Sequence, residues 1–198
     1  SISEDITRAV KYLQSLGIAN VHTEDLAYYG DFNVPLDAYL KTLGQDALKF
    51  RVNLLTHEQV YEDVVQADKK YKENFVERDA MKIFADGAFG AKTALVSEPY
   101  EGSNDEGLQI HSEEKLHEMV QTARSHGDAI AVHMIGDRAI EMVLDAIEKY
   151  PPKNNKHDRL IHISLLRPDL IDRIAKLPVV CDIQPTFLTS DMPWVEEY

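Results

Sequence analysis

Short apolar runs alternate with helical patterns along almost the whole chain, and this alternation is the strongest constraint on its fold. Apolar residues recur at helical spacing in the ranges 4–16, 35–43, 57–73, 112–126, 137–150 and 168–177. Six further runs indicate β-strands, at 18–23, 50–55, 81–87, 129–133, 160–162 and 179–184. Strands and helices that alternate in this way form a parallel sheet with right-handed crossovers. The sequence therefore predicts an α/β protein.

Length leaves two architectures open. A complete (β/α)8 barrel needs about 250 residues, whereas this chain has 198. Six β/α units fit into that length and eight do not. We therefore expect either an open, doubly wound sheet or most of a barrel whose remaining strands are absent. The sequence opens at Ser1 inside a helical pattern and stops abruptly at Tyr198, which favours an excised segment forming one partial domain over 1–198.

Composition and charge exclude several classes of protein. Hydrophobic residues make up 44% of the chain, enough for a substantial core. A formal net charge of −13, spread along the sequence, argues against nucleic acid or an anionic membrane as partner. Cys181 is the only cysteine, so an intrachain disulfide is impossible. Because it lies in an apolar strand pattern, we expect a buried structural thiol.

Two histidines lie where a metal site is expected. His133 and His162 stand at the ends of the strand runs 129–133 and 160–162. The carboxyl ends of parallel strands share one face of a sheet or barrel, and active sites are built there. Two imidazoles delivered to that face by consecutive strands are suitable metal ligands. His22 also ends a strand run and is a candidate further ligand, although we expect it to support the site or to be structural.

Lys82 is unusual because it lies inside a strand run that is otherwise suited to burial, together with Asp86. One interpretation is a lysine that extends its ammonium group to solvent or pairs with Asp86. The other is a buried amine that loses its charge through desolvation. A neutral amine can add carbon dioxide, and the resulting carbamate can bridge two metal ions, which together activate a water molecule.

The turn after His133 and a long loop complete the candidate site. Gly136 allows an unusual backbone angle, and Asp137 either caps the next helix or faces the pocket. The segment 87–111 has no clear periodicity and is longer than an ordinary connection, which indicates a functional loop or lid.

Five stretches of the chain carry a resemblance to a known family. They are 17–22 (GIANVH), 82–94 (KIFADGAFGAKTA), 132–139 (VHMIGDRA), 159–162 (RLIH) and 184–186 (QPT). Together, in this order and spacing, they resemble the amidohydrolase superfamily, in particular the YtcJ-like group of metal-dependent hydrolases (the amidohydrolase 3 family). The resemblance covers nearly the whole chain.

The resemblance implies strands two to seven of a TIM (β/α)8 barrel with one or two divalent ions, commonly zinc. It implies that Lys82 is a bridging, carboxylated ligand and that His133 and His162 are the ligands from the next two strands. The implied substrate pocket includes Asp86, Asp137 and Gln184. The family's His-x-His pair would precede Ser1, and its general-base aspartate would lie beyond Tyr198. The flanking strands and any small β-domain are absent, so we expect the 198-residue chain alone to be inactive.

The implied activity is hydrolysis of an amide or other C–N bond of a small molecule by metal-activated water. We expect a cytoplasmic enzyme that binds neither nucleic acid nor membrane and forms a homo-oligomer through exposed sheet edges. One alternative is a non-catalytic small-molecule-binding α/β protein with a doubly wound sheet. Another is a catalytically dead amidohydrolase homologue. The direction in which Lys82, His133 and His162 point distinguishes these interpretations.

Overall fold

The structure, a computed structural model, describes residues 1–67 and 69–190 and contains six strands and six α-helices. The helices are α1 Ile2–Ser15, α2 Asn33–Thr42, α3 Tyr61–Gln66, α4 Glu113–Ser125, α5 Asp137–Lys149 and α6 Pro168–Ile174. The strands are β1 Asn20–Thr23, β2 Arg51–His57, β3 Val76–Phe84, β4 Ala129–Met134, β5 Asp158–His162 and β6 Val179–Asp182. The alternation that the sequence predicts is confirmed.

The strands follow one another along the sheet in chain order. Parallel pairing joins β1 to β2 and β2 to β3, and it also joins β4 to β5 and β5 to β6. The chain divides into two compact units, Ser1–Lys82 and Ile83–Tyr198, with the division inside β3. The interpretation of 1–198 as one partial domain stays a prediction.

The first unit has its own hydrophobic core between the sheet and its helices. Helix α1 begins with a capping box in which Ser1 and Glu4 exchange hydrogen bonds, and it buries Ile6 and Val10. Helix α2 packs against α1 and buries Leu36 and Tyr39. Strands β2 and β3 contribute Val52, Leu54 and Val76 to this core, and Phe50, which directly precedes β2, is buried with them.

Two elements of this unit differ from the sequence prediction. Strand β3 begins at Val76, whereas the sequence pattern indicated a start near Met81. The prediction missed the first residues because the partly exposed charged residues 77–79 interrupt the apolar pattern. Helix α3 covers only Tyr61–Gln66, although 57–73 was predicted to be helical. The residues that follow are rich in lysine and offer few apolar side chains to bury, so tertiary packing does not extend the helix.

In the second unit, buried strands pack against amphipathic helices. Ile130, Val132 and Met134 of β4 are completely buried, while helix α5 buries one face that includes Ile140 and Leu144. Helices α4 and α5 pack against β4 and against each other. The predicted N-cap of α4 is confirmed, since the Ser112 hydroxyl accepts a hydrogen bond from the Lys115 amide.

The predicted burial of Cys181 is wrong, because its side chain is exposed. Strand β6 pairs with β5 on one side, and within residues 1–67 and 69–190 no further strand covers its other edge. An apolar strand pattern predicts burial only when packing partners cover both faces. Among the residues described, no helix has the length and apolar character needed to cross a membrane.

A buried ion pair joins helix α4 to strand β5. The Arg124 guanidinium donates two hydrogen bonds to the Asp158 carboxylate, at 2.9 and 2.6 Å. Asp158 is fully buried and also accepts the Ile130 amide. Arg124 also donates to the carbonyls of Asp128 and Tyr150. Because the pair is buried, removing one charge leaves the other without compensation.

We predict that Asp158→Asn lowers the free energy of unfolding by about 3–5 kcal/mol, the usual cost of breaking a buried ion pair. Urea denaturation followed by circular dichroism measures this loss. Arg173→Met is the matched control, since Arg173 forms exposed ion pairs with Asp145 and Glu148 and such pairs contribute at most about 1 kcal/mol. Equal losses in the two variants would contradict the assignment of Arg124–Asp158 as a main structural link.

Candidate metal centre

His133 lies at the carboxyl end of β4 with its ring held by the backbone. Its Nε2 is 2.7 Å from the Gly87 carbonyl oxygen and 3.6 Å from Oδ1 of Asp86. A carbonyl oxygen only accepts, so Nε2 carries the proton and donates it. In the neutral ring Nδ1 then has the lone pair, which is the form that binds a metal ion. The ring also contacts Phe84, with a centroid distance of 5.2 Å.

His162 reaches His133 through a departure from regular strand geometry. The register pairs His133 with Ile161 and Met134 with His162, so regular alternation would direct the two histidines to opposite faces. His162 and Ile163 instead have φ angles of 75° and 44°, in the left-handed region that β-branched residues strongly disfavour. The two imidazole rings meet edge to face with centroids 4.7 Å apart. This strained turn brings the two predicted ligands together.

Gln184 fixes the orientation of the His162 ring. Its Nε2 donates to the Asp182 carbonyl at 3.0 Å, which leaves Oε1 as the acceptor facing Nδ1 of His162 at 2.6 Å. His162 therefore donates from Nδ1 and has the lone pair on Nε2. Phe187 stacks beside the same ring at 6.3 Å between centroids. Each histidine thus gives one proton to a protein acceptor, the arrangement typical of metal-binding histidines.

Asp86 lies two residues beyond the end of β3, not within the strand as predicted. Its side chain is 1% exposed. The carboxylate accepts backbone N–H groups from Leu95 at 2.9 Å, Ile135 at 3.0 Å and Gly136 at 2.8 Å. Burial raises the pKa of Asp86, while these three hydrogen bonds act in the opposite direction. The carboxylate joins three chain segments around His133.

Asp137 connects the long loop to helix α5 and does not act as the helix cap. The cap is Gly136, and Asp137 is the first helical residue. Its carboxylate accepts the Ser97 amide at 2.9 Å and the Ser97 hydroxyl, and it pairs with Arg167 at 2.9 Å. Burial acts to raise the pKa of Asp137, but the hydrogen bonds from Ser97 and Arg167 outweigh it and hold the pKa below its usual range.

Gly136 is required for a reason other than the one that the sequence suggested. Its φ of −74° is open to any residue. A Cβ atom at this position would lie only 1.8 Å from the Leu95 carbonyl oxygen. Glycine is therefore needed because the 87–111 loop approaches the backbone closely, and not because the turn has an unusual angle. Around Leu95 this loop is a tightly packed part of the site.

Lys82 belongs to the first compact unit, at the carboxyl end of β3. It is 4% exposed, and burial lowers the pKa of its amine to about 8, although Glu24 and Glu58 act to raise it. Lys82 is therefore buried, as the second of its two sequence interpretations requires. His22 is in the same unit. Its Nε2 lies 3.0 Å from the Asn53 side-chain nitrogen and 3.7 Å from Oδ2 of Asp79, and these contacts fit a structural role.

Several residues of the site were not anticipated from the sequence. Glu24 and Glu58 directly follow β1 and β2, where the rule on strand ends could have indicated them. Ser97 and Arg167 lie in loops, and no local pattern connects them to Asp137. Among the described residues, no group of three or more His, Cys, Asp or Glu side chains is arranged to hold a metal ion. The predicted set of Lys82, His133 and His162 includes a lysine and stays a prediction.

The same parallel β/α units occur in solved hydrolases. Crystal structures of uncharacterized metal-dependent hydrolases from Pyrococcus furiosus and Pyrococcus horikoshii match 98% of this chain, with TM-scores of 0.83 and 0.85 and 29% identity. The chain covers 40% and 39% of those proteins. This match confirms the predicted fold class, β/α units like those of an amidohydrolase barrel. It does not support an unrelated doubly wound sheet.

Sequence comparison identifies the family. A family model described as the amidohydrolase family matches residues 3–198. YtcJ from Bacillus subtilis, a protein named as an amidohydrolase, is 46% identical over 98% of this chain and 37% of its own length. LONG AFTER FAR-RED 3 from Arabidopsis thaliana is 35% identical over 56% of the chain and 20% of that protein. The chain belongs to the amidohydrolase family, and it spans less than half the length of these relatives.

We predict that the stabilising effect of Asp137 depends on pH. A carboxylate whose pKa is lowered in the folded state stabilises the protein above its unfolded pKa of about 3.9, and this contribution is lost as the pH falls through the folded pKa. Asp137→Asn should therefore lower the free energy of unfolding by about 1–3 kcal/mol at pH 7. Denaturant unfolding of both proteins between pH 7 and 3 should show the difference shrinking. A difference that is constant across this range would contradict the prediction.

Proposed function

We propose that this chain forms the central part of a metal-dependent hydrolase that cleaves an amide or other C–N bond in a small molecule. Zn²⁺ is the metal that we propose, with Lys82, His133 and His162 among its ligands. The observation that carries the proposal is the adjacency of the His133 and His162 rings, 4.7 Å apart between centroids. Membership of the amidohydrolase family and the likeness to proteins named metal-dependent hydrolases support it.

The two histidines fit a metal ion by their protonation as well as by their proximity. Gly87 and Gln184 each accept one ring N–H, so Nδ1 of His133 and Nε2 of His162 have the lone pairs. Zinc–imidazole bonds are about 2.0–2.1 Å long, and adjacent rings can share one ion at that distance. A divalent ion in such a site makes water nucleophilic near neutral pH and polarises a carbonyl group. Gly87 and Gln184 orient the rings for this role.

Lys82 fits the role of a modified ligand because its amine is buried. Desolvation favours the neutral amine, which attacks carbon dioxide through its nitrogen lone pair and loses one proton, giving a carbamate. A carbamate on Lys82 would add a negatively charged oxygen ligand for one or two divalent ions. We propose this modification of Lys82 in the metal-loaded protein, and one or two ions per site.

Asp86, Asp137 and Gln184 remain proposed residues of the substrate pocket. Each also forms a structural hydrogen bond within the second compact unit, to Leu95, Ser97 and His162 respectively. We propose that the general base is an aspartate outside the 198-residue chain, as the family resemblance implies. On this proposal the 198-residue chain binds metal but gives no measurable turnover by itself.

Isothermal titration with Zn²⁺ tests the metal site. We expect His133→Ala and His162→Ala each to weaken Zn²⁺ binding by about a hundredfold or more. Loss of a ligand should reduce the affinity at least as much as loss of a group that hydrogen-bonds to the ligand. His157→Ala is the control, since His157 is exposed and outside the site. If both site variants bind Zn²⁺ as tightly as the wild type, the proposed metal site is wrong.

Hydrolysis of a panel of amides by the metal-loaded full-length protein tests the activity. Release of an amine that depends on both His133 and His162 is the expected result. Metal binding without hydrolysis of any C–N bond in the panel would favour the alternative, a catalytically dead amidohydrolase homologue. An unchanged rate in His133→Ala would contradict the assignment of this histidine to the reaction.

We also propose that the 198-residue chain self-associates through the β6 edge. Ile183 and Leu188, which follow this strand, are 60% and 70% exposed. An open strand edge with apolar neighbours favours pairing with another chain. Sedimentation velocity of the 198-residue chain should show dimers or larger species, and Ile183→Lys should shift the distribution toward monomer. A wild-type chain that stays monomeric at about 100 μM, a concentration that favours edge association, would contradict this proposal.

A further inference from the structure

Asp86 lies at the centre of a network that surrounds His133 on both sides. The residues on either side of Asp86 both bond to this histidine. The Ala85 amide donates to the His133 carbonyl at 2.9 Å, and the Gly87 carbonyl accepts from the His133 ring at 2.7 Å. Asp86 itself accepts the amides of Ile135 and Gly136, which follow His133 in the chain. The segments 85–87 and 133–136 are therefore joined by four hydrogen bonds.

A second segment, Thr93–Ser97, holds the Gly87 carbonyl in place, and we call it the strap. The Gly87 amide donates to the Thr93 carbonyl at 3.0 Å, and the Ala88 amide donates to the Thr93 hydroxyl at 2.9 Å. A Cβ atom on Gly87 would lie 2.2 Å from that hydroxyl, so the two segments approach as closely as glycine allows. Asp86 binds the strap directly through the Leu95 amide. The acceptor for the His133 ring is thus fixed by Asp86 and by the strap.

We propose that Asp86 is a positioning residue that sets the tautomer and ring orientation of His133. This inference rests on the proposed metal-binding function of His133. The carboxylate holds the turn that follows the histidine and the strap that fixes Gly87, and the Gly87 carbonyl then keeps the proton on Nε2. Nδ1 is thereby presented as the metal-binding nitrogen. Asp86 acts on the His133 ring through these backbone groups and through its own Oδ1, which lies 3.6 Å from Nε2.

Asp86→Asn tests this role with minimal change of shape. The Asp86 carboxylate uses one oxygen for Leu95 and Gly136 and the other for Ile135. An amide has only one oxygen, so its NH2 group must face at least one backbone N–H in either orientation. Ser103→Ala is the control, because Ser103 lies in the same loop outside the strap and its hydroxyl donates to the Tyr100 carbonyl.

The readout is the tautomer of His133 in the metal-free protein, measured by long-range ¹H–¹⁵N correlation at pH 8. We expect Nε2–H as the dominant form in the wild type and in Ser103→Ala. In Asp86→Asn we expect a mixture of the two tautomers, and Zn²⁺ binding weaker by about 10- to 100-fold. A folded Asp86→Asn protein that keeps a single Nε2–H tautomer and wild-type Zn²⁺ affinity would overturn the proposal.

If Asp86→Asn does not fold, the wild-type protein decides the question. A single Nε2–H tautomer of His133 supports the proposal, and a dominant Nδ1–H tautomer or an even mixture overturns it. The metal-free readout separates this inference from the proposed function. If Asp86→Asn changes the tautomer but His133→Ala leaves Zn²⁺ affinity unchanged, the metal site is wrong and the positioning role stands.

Discussion

The buried carboxylate of Asp86 is the interaction on which the second compact unit most depends. A carboxylate removed from water is costly unless donors surround it, and here three backbone N–H groups from two separate segments do so. Satisfying those donors requires the end of β3, the strap and the turn between β4 and α5 to meet at one point. That convergence brings the Leu95 carbonyl close to Gly136. A larger residue at this position would push the strap away.

The second constraint is the left-handed turn at His162 and Ile163. A regular β5 would direct His162 to the face of Met134, away from His133. Left-handed φ angles at two consecutive non-glycine residues cost of order 1–3 kcal/mol each, and such strain persists only where the surrounding structure enforces it. Backbone hydrogen bonds from Ile163 to Met134 and from Leu165 to Ile135 hold the turn. The strain lies at the site where the two rings meet, which is typical of functional sites.

The sequence predicted the fold well because each β/α unit has a strong hydrophobic period of its own. All six strands and six helices were expected, and the capping residue Ser112 was identified from local chemistry. The errors have physical causes. Charged residues hid the first part of β3, the predicted extension of α3 offers few apolar residues to bury, and an apolar strand pattern does not show which face of β6 is covered.

The site was less predictable because it depends on contacts between distant segments. His133 and His162 were identified by their positions at strand ends, but simple alternation gives no reason for their rings to meet. From the sequence, Asp86 was assigned to a strand and to the substrate pocket. Its contacts could not be predicted because its three N–H partners come from two segments remote in sequence. The role of Gln184 as the acceptor for His162 likewise requires the register of β5 and β6, which sequence periodicity does not provide.

The metal site that we propose has His133 and His162 as ligands of one ion. X-ray absorption at the zinc edge, measured on protein loaded with one equivalent of Zn²⁺, tests this pairing. We expect nitrogen or oxygen ligands at about 2.0–2.1 Å, with the multiple-scattering signature of two imidazoles that is lost in His133→Ala and His162→Ala. A zinc ion without imidazole ligands, or a spectrum unchanged in both variants, would contradict it.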